Sequence, residues 1–247
     1  MSPPPPLPPP PWLAIDTAAE IASVAVGSGR QVRAAESVRG ARQHAAQIIP
    51  LIHRVLAHAG ARVDQIAGIV VSDGPGSFTG LRIGWAAAKG IAQERGLRLS
   101  AVPSLLGAAH AAARGESGPV AACYDALRGE IFGAVYSFPS GRVETLVAPA
   151  LFTMTSLTRI TPVRPRLAVG DGAQRYADAV ESWTGRRPEG LDTIPAIAAS
   201  LLALAEIEEV TRALDDIASA EPMYGRPAEA QVKWEARHGR PLPHSSR

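Results

Sequence analysis

The chain runs twice through one order of hydrophobic patterns, and this repetition restricts its possible folds more than any single motif does. Three short apolar or alternating runs, Trp12–Asp16, Ala22–Gly27 and Val32–Val38, are parted by Gly and polar turns and read as strands. Residues Ala41–Gly60 then carry Ala45, Ile48, Ile49, Ile52, Val55, Leu56 and Ala59 at the 3, 4, 3, 4 spacing of one helix face. Gly60 is a natural stop, and Pro50 predicts a bend or a break. Strand Ile66–Val71, helix Leu81–Arg95, strand Leu99–Val102 and helix Leu105–Arg114 complete the first pass. The second begins at Pro119 with strands Val120–Tyr124, Ile131–Ser137 and Val143–Val147. A short helix near Ser156–Arg159, strand Leu167–Val169 and helical stretches Tyr176–Trp183 and Ile194–Val210 follow. The two openings, IDTAAEIASVAV and YDALRGEIFGAVY, each place an Asp at a strand end before a turn and a second apolar strand. A repeated βββαβα unit predicts two α/β subdomains, residues 12–117 and 118–224, facing one another across a cleft.

Outside these passes lie PPPPLPPPP at residues 3–11, read as a disordered proline-rich N-terminus of extended backbone, and a flexible tail at 225–247. The proline run lacks the cationic start and long apolar segment of a signal peptide. The longest charge-free stretch near a predicted helix, Ile194–Ala205, has 12 residues. A membrane span needs roughly 20, so a soluble protein is expected. A net charge of +2 over 247 residues leaves no global electrostatic footprint for nucleic acid. The single Cys123 has no internal disulfide partner and fits a reducing cytoplasm.

The most specific string is VSDGPGSFTGLRIG at 71–84, set between a predicted strand and a predicted helix. Exposed backbone N–H groups there suit an anion, and its glycines allow close approach of a ligand. The spacing departs from the phosphate loop ending Gly-Lys-Ser/Thr, from the dinucleotide fingerprint and from the nucleophile elbow. Two readings stay open: a tight strand-to-helix turn capped by Ser77 or Thr79, or an anion loop. The second would use Asp16, Thr17, Gly74, Gly76, Ser77, Thr79, Gly80 and Arg82.

The helix over Leu81–Arg95 places Leu81, Gly84, Ala88, Ile91 and Ala92 on one side and Ile83, Ala87 and Gly90 on another. Only Arg82, Lys89 and Gln93 make a polar stripe. Two small apolar faces predict burial under a neighbouring helix or against another subunit. His44, His53 and His58 contain no i, i+4 pair, so no metal site is predicted on the first helix. Cys123 reads as core, and no nucleophile–base set is assembled.

GPGSFTGLRIG at 74–84, AAAKGIA ending at Ala92 and VPSL at 102–105 resemble the TsaB (YeaZ) family. IDTA at 15–18, SVAV at 23–26, His44 with Ile49-Pro50, YDALRGEIFGAVY at 124–136 and Pro222-Met223-Tyr224-Gly225-Arg226 extend the resemblance over about residues 12–230. It implies an α/β, actin/hexokinase-like (ASKHA) duplicated fold. It also implies a non-catalytic, cytoplasmic dimerisation or scaffold subunit in tRNA N6-threonylcarbamoyladenosine synthesis, a tRNA modification beside the anticodon. The partner would be a TsaD-like transferase, with a TsaE-like ATPase joined through the complex, tRNA engaged indirectly and a homodimer formed alone. The interface on this reading uses His44, Ile48, Leu51, Ile52, Val55, Leu81, Gly84, Trp85, Ala88, Ile91 and Ala92. A charge at Gly84 or Ala88 is then expected to break the pairing. No metal and no resident cofactor are implied, and a nucleotide at a subunit boundary stays open. The rival reading is a kinase-like ATPase that holds nucleotide in the interlobe cleft. Asp16-Thr17-Ala18-Ala19 lacks the Gly that such kinases carry after the first-strand acid.

Overall fold

The computed structural model describes residues 9–40 and 44–226, together with Trp234 and residues 237–239. Most of the proline run, the first three residues of the expected first helix and most of the expected tail lie outside them. The elements in chain order are β1 (Trp12–Asp16), β2 (Ile21–Ser28), β3 (Gln31–Arg39), α1 (His44–His58), β4 (Gly68–Ser72), α2 (Phe78–Arg95), β5 (Arg98–Val102) and α3 (Ser104–Ala113). Then come β6 (Val120–Leu127), β7 (Glu130–Ser137), β8 (Glu144–Phe152), α4 (Met154–Ile160), β9 (Leu167–Val169), α5 (Asp171–Arg175), α6 (Ala177–Thr184), α7 (Ile197–Leu204) and β10 (Arg212–Ala213).

The duplication is visible in the sheets. The first has the order β10-β5-β4-β1-β2-β3 and the second β8-β7-β6-β9, so each is an antiparallel meander joined to parallel strands in one sense. A lone parallel bridge from Val169 to Glu189 stands where the second sheet would carry its fifth strand. This is the α/β, actin/hexokinase-like duplicated architecture.

Strand composition follows from burial on both faces, which is why β1, β2 and β4 read as continuous apolar runs. Leu13, Ile15, Val24, Val26, Ile69 and Val71 of the first sheet pack under α1 and α2. Ala14, Ala25 and Val70 face the opposite way, onto a layer built from α3 and α7. The second sheet covers the far side of that layer with Ala122, Tyr124, Phe132 and Ala134, and turns Ala121, Cys123, Ile131 and Val135 toward α4 and α6. Five layers result, with α3 and α7 between the lobes.

Several boundaries differ from the sequence reading for identifiable reasons. Helix α2 begins at Phe78 because the Ser77 hydroxyl caps it, accepting from the Gly80 N–H at 3.2 Å. Helix α1 passes through Pro50 unbroken: both Pro50 and Ala46, whose carbonyl the ring leaves unpaired, lie on the exposed side. The stretch 194–210 is helical only over Ile197–Leu204, with a 3-10 turn at 208–210. Residues after α7 return to the first sheet through β10. The segment from α7 to 224, given to the second subdomain from sequence, therefore packs largely on the first.

Candidate functional site

The residues singled out from sequence converge where the ends of β1 and β4 meet α2. Asp16 and Thr17, at the end of β1, are 0% exposed. The Asp16 Oδ1 accepts from the Ala18 N–H at 3.2 Å, while its Oδ2 has no partner among the described residues. Burial pushes its carboxyl from 3.8 up to about 6, against the lowering effect of bonds from Ser72 and Ala18. The Thr17 hydroxyl donates to the Gly80 carbonyl at 2.7 Å, and the Ser77 N–H donates to the Ala18 carbonyl at 2.7 Å.

The glycines of the 74–84 string are explained by that closeness. A Cβ at Gly76 would overlap the Ala18 carbonyl oxygen, one at Gly80 the Thr17 carbonyl oxygen, and one at Gly84 the Thr17 hydroxyl. Gly74 also adopts φ +105 and lies against the Met223 carbonyl. The string is thus a packing surface that brings α2 onto the β1–β2 turn. Of the residues the anion-loop reading would use, Asp16, Thr17, Gly74 and Gly80 are buried and Gly76 half-buried, while Ser77, Thr79 and Arg82 are exposed. The Ser77 and Gly80 N–H groups are already bonded within the chain, and the Asp16-Thr17 turn is covered.

Arg82 faces away from this contact. Its Nε donates to the Tyr224 hydroxyl at 3.0 Å, and its guanidinium lies 4.2 Å from the Phe78 ring centroid. Tyr224 belongs to a C-terminal strap that sequence reasoning flagged only as a string. The strap is tied down by Arg212, which donates to both oxygens of buried Asp73 at 2.9 and 2.6 Å, and by the Met223 N–H on the Asp73 carbonyl at 2.7 Å. Lys89 donates to the carbonyls of Ala218 and Ala220. Nothing in the sequence marked Arg212, because the pair spans 139 residues.

On the second lobe the acid equivalent to Asp16 is Asp125, at the end of β6; its N–H and that of Gly172 donate to Oδ1 of Asp171, in the turn after β9, whose carboxyl burial raises. Asp125 pairs with Arg175 at 2.7 Å. Tyr124 closes the space between lobes, its hydroxyl reaching the Ser104 carbonyl at 3.4 Å. Among the described residues, no three His, Cys, Asp or Glu side chains are placed to hold a metal. Burial pushes the Cys123 thiol up to about 12, so it carries no thiolate at neutral pH. A cavity of about 270 Å³ lies away from these acids, lined by Arg30, His110, Phe138, Val143, Ala203 and Ile207 among others.

The residues assigned to a partner interface are placed mostly inside the chain, and that is a correction. His44, Ile48, Leu51, Ile52, Val55, Leu81, Gly84, Trp85, Ala88 and Ala92 are buried, and Ile91 is half-buried. They face the chain's own core because a helix lying on a sheet must cover the sheet first. His44 is held by its Nε2–H on the Glu20 carbonyl at 3.2 Å, and burial lowers its pKa. What α1 and α2 leave outward is a different set. Ala46, Ile49, Pro50 and His53 of α1 are exposed, Ile49 by 46%. On α2, Ala86 and Gly90 are exposed beside half-buried Ile83 and Ala87, with open space where a Gly90 Cβ would stand.

The family model described as TsaD, tRNA N6-adenosine threonylcarbamoyltransferase, matches residues 38–220. The Bacillus subtilis tRNA threonylcarbamoyladenosine biosynthesis protein TsaB is 28% identical over 224 residues, covering 90% of this chain and 96% of that protein. The Escherichia coli TsaB is 37% identical over 125 residues, which span 54% of its length. The crystal structure of YeaZ from Pseudomonas aeruginosa superposes with a TM-score of 0.71 at 24% identity, over 87% of this chain and 99% of that one. A further structure, of a Pseudomonas aeruginosa protein described as similar to peptidase YeaZ, gives 0.68 at 25% identity over 87% of this chain and 99% of that one.

Proposed function

The chain belongs to the family that the TsaD model describes and, within it, to the TsaB (YeaZ) family, and from that premise we propose a non-catalytic subunit of tRNA threonylcarbamoyladenosine synthesis. On this reading it works in the cytoplasm and docks a TsaD-like transferase through the outward faces of α1 and α2. It joins a TsaE-like ATPase and tRNA through that complex, and self-associates by the same face when alone. The names of its relatives support the pathway. The observation that carries the docking role is the outward face itself. Ala46, Ile49, Ala86, Ala87 and Gly90 offer small apolar side chains on two adjacent helices, which lets foreign helix backbones approach closely.

The kinase-like alternative needs a phosphate at the Asp16-Thr17 turn, and the packing of Gly76, Gly80 and Gly84 over that turn weighs against it. For the docking reading, the informative substitutions are Ile49→Glu and Ala86→Glu. Both side chains are exposed in the single chain, so folding is retained, whereas a charge at an interface centre is left buried and unpaired at several kcal/mol. Gel filtration with the transferase is expected to show loss of co-elution. Retained co-elution of both variants would sink the reading. Substitution at Gly84 or Ala88 does not test it, because those sites are core.

A further inference from the structure

We infer that the cavity enclosed by the β2–β3 turn, the end of α3 and the residues joining β7 to β8 binds a small organic carboxylate with an apolar body. The two lobes meet there, at the ends of their sheets opposite to Asp16 and Asp125. Trp12 pairs with Gly27 beside the β2–β3 turn, and Val120 pairs with Tyr136 just before Phe138. Arg30 reaches the cavity from that turn, His110 from α3, and Phe138 and Val143 from the second lobe. Ala203 of α7 and Ile207 after it complete the wall.

His110 marks this cavity as a site. Its ring meets the Phe138 ring edge-on, with centroids 5.4 Å apart. Among the described residues neither ring nitrogen has a hydrogen-bond partner, and Nδ1 is sealed from solvent. Buried polar groups are nearly always paired in a folded chain, so a partnerless imidazole in a cavity wall is an exception. Burial, and then the charge of Arg30, lower its pKa, so the ring is neutral at pH 7 and can carry its proton on Nε2. Arg30 supplies the charge. Its Nη2 lies 2.9 Å from where a Gly141 Cβ would stand, so the guanidinium crosses from the first lobe onto the second at the cavity's edge. Glu206 lies against neighbouring Gly29, yet among the described residues no carboxylate forms an ion pair with Arg30. Other arginines of this chain also lack an acid; Arg30 differs in lining an apolar cavity beside that imidazole.

Two donor groups and an otherwise apolar wall set the class of ligand. A phosphate dianion needs more donors than one guanidinium and one imidazole N–H provide, whereas a carboxylate is satisfied by that pair. Phe138, Val143, Ala203 and Ile207 have no polar side-chain atom, so the rest of the ligand is apolar. An apolar cavity of about 150 Å³ takes a benzene molecule. The about 270 Å³ here therefore holds a single ring together with its carboxyl. Because α3 and α7 lie on the side of the first sheet opposite to α1 and α2, the inference does not rest on the docking reading.

The test is titration of the full chain with benzoate, followed by calorimetry and by the NMR signals of the His110 ring. Saturable binding is expected, roughly tenfold or more tighter than that of benzyl alcohol, which has the ring without the charge, or of acetate, which has the charge without the ring. The His110 signals should shift with the same saturation, and those of His53, exposed on α1, should not. Arg30→Gln keeps the fold because the side chain is exposed. It is expected to weaken benzoate roughly tenfold and to leave benzyl alcohol within about twofold. Arg95→Gln, an exposed arginine of α2 outside the cavity wall, should change neither. No saturation by about 10 mM benzoate, equal affinity for benzyl alcohol, or undiminished binding by Arg30→Gln would each overturn the proposal. So would displacement of benzoate by an equal concentration of inorganic phosphate, which would assign the two donors to a bare anion.

Discussion

Replacing Asp16 by Asn isolates the cost of a buried acid. In the folded chain the carboxyl titrates at about 6 against 3.8 when unburied, a rise of about two units caused first by desolvation. Each unit corresponds to about 1.36 kcal/mol, so the full effect is about 3 kcal/mol, with no discount for solvent screening because the side chain is fully buried. The sign follows from the raised value. The stabilising contribution of the neutral acid is complete below pH 3.8 and is lost as pH rises through 6. Asn does not titrate, and its Oδ1 can keep the bond from the Ala18 N–H. The difference in unfolding free energy, variant minus parent, should therefore grow by about 2.4 kcal/mol between pH 4 and pH 7, whatever its constant offset. Urea titrations of both proteins at each pH measure it, and carboxylates common to the two cancel. A difference flat to within about 1 kcal/mol across that window would refute the reasoning. Ser72→Ala offers a second check: it removes a side chain that lowers the value, so the Asp16 carboxyl of that variant should titrate higher than the parent's.

Gly80→Ala should destabilise the chain by about 2 kcal/mol or more in chemical denaturation, since the added Cβ meets the fixed Thr17 carbonyl; Gly90→Ala, which meets open space, should stabilise α2 by about 0.5–1 kcal/mol. Arg212→Gln leaves the buried Asp73 carboxylate with one weak partner and should cost about 2–3 kcal/mol, below the figure for a fully buried pair because Arg212 is 39% exposed. Cys123 should resist thiol reagents in the native chain and react on unfolding, which a timed labelling assay followed by mass spectrometry reads directly. Calorimetry of the isolated chain with ATP and Mg²⁺ should show no sub-micromolar binding, because the Asp16-Thr17 turn is covered.

The strand order was legible because both sheets are buried on two faces, so β1, β2, β4, β6 and β7 announce themselves as apolar runs. The helices were legible as helices and misread as surfaces. Periodicity reports that Ile48, Ile52 and Val55 share a face, but it carries no information on whether the chain's own sheet or a stranger covers it. On α2 the two small faces were recognised, and the wrong one was assigned outward: Trp85 and Ala88 lie on the sheet, while Ala86 and Gly90 do not. The contacts between Asp73 and Arg212 and between Arg82 and Tyr224 join residues 139 and 142 positions apart, and no local pattern encodes such pairs.

The same glycine string gains its meaning from what it touches. In a site that binds phosphate, glycines bring backbone N–H groups to a ligand; here Gly76, Gly80 and Gly84 bring backbone to backbone, and the ligand's place is taken by α2. Once α2 sits on the β1–β2 turn, its far side is raised above the lobe, flanked by α1 and pinned by Arg212 and Lys89 through the strap. A helix held so firmly on one face can present the other with little loss of entropy on docking, which is the property a rigid binding surface requires. Packing that closes the cleft and packing that presents a face are therefore one arrangement. A variant that loosens the strap, such as Arg212→Gln, should weaken transferase binding in a pull-down even though Arg212 is remote from Ile49 and Ala86 in sequence. Undiminished capture by a folded Arg212→Gln chain would separate the two and leave the outward face to stand on its own.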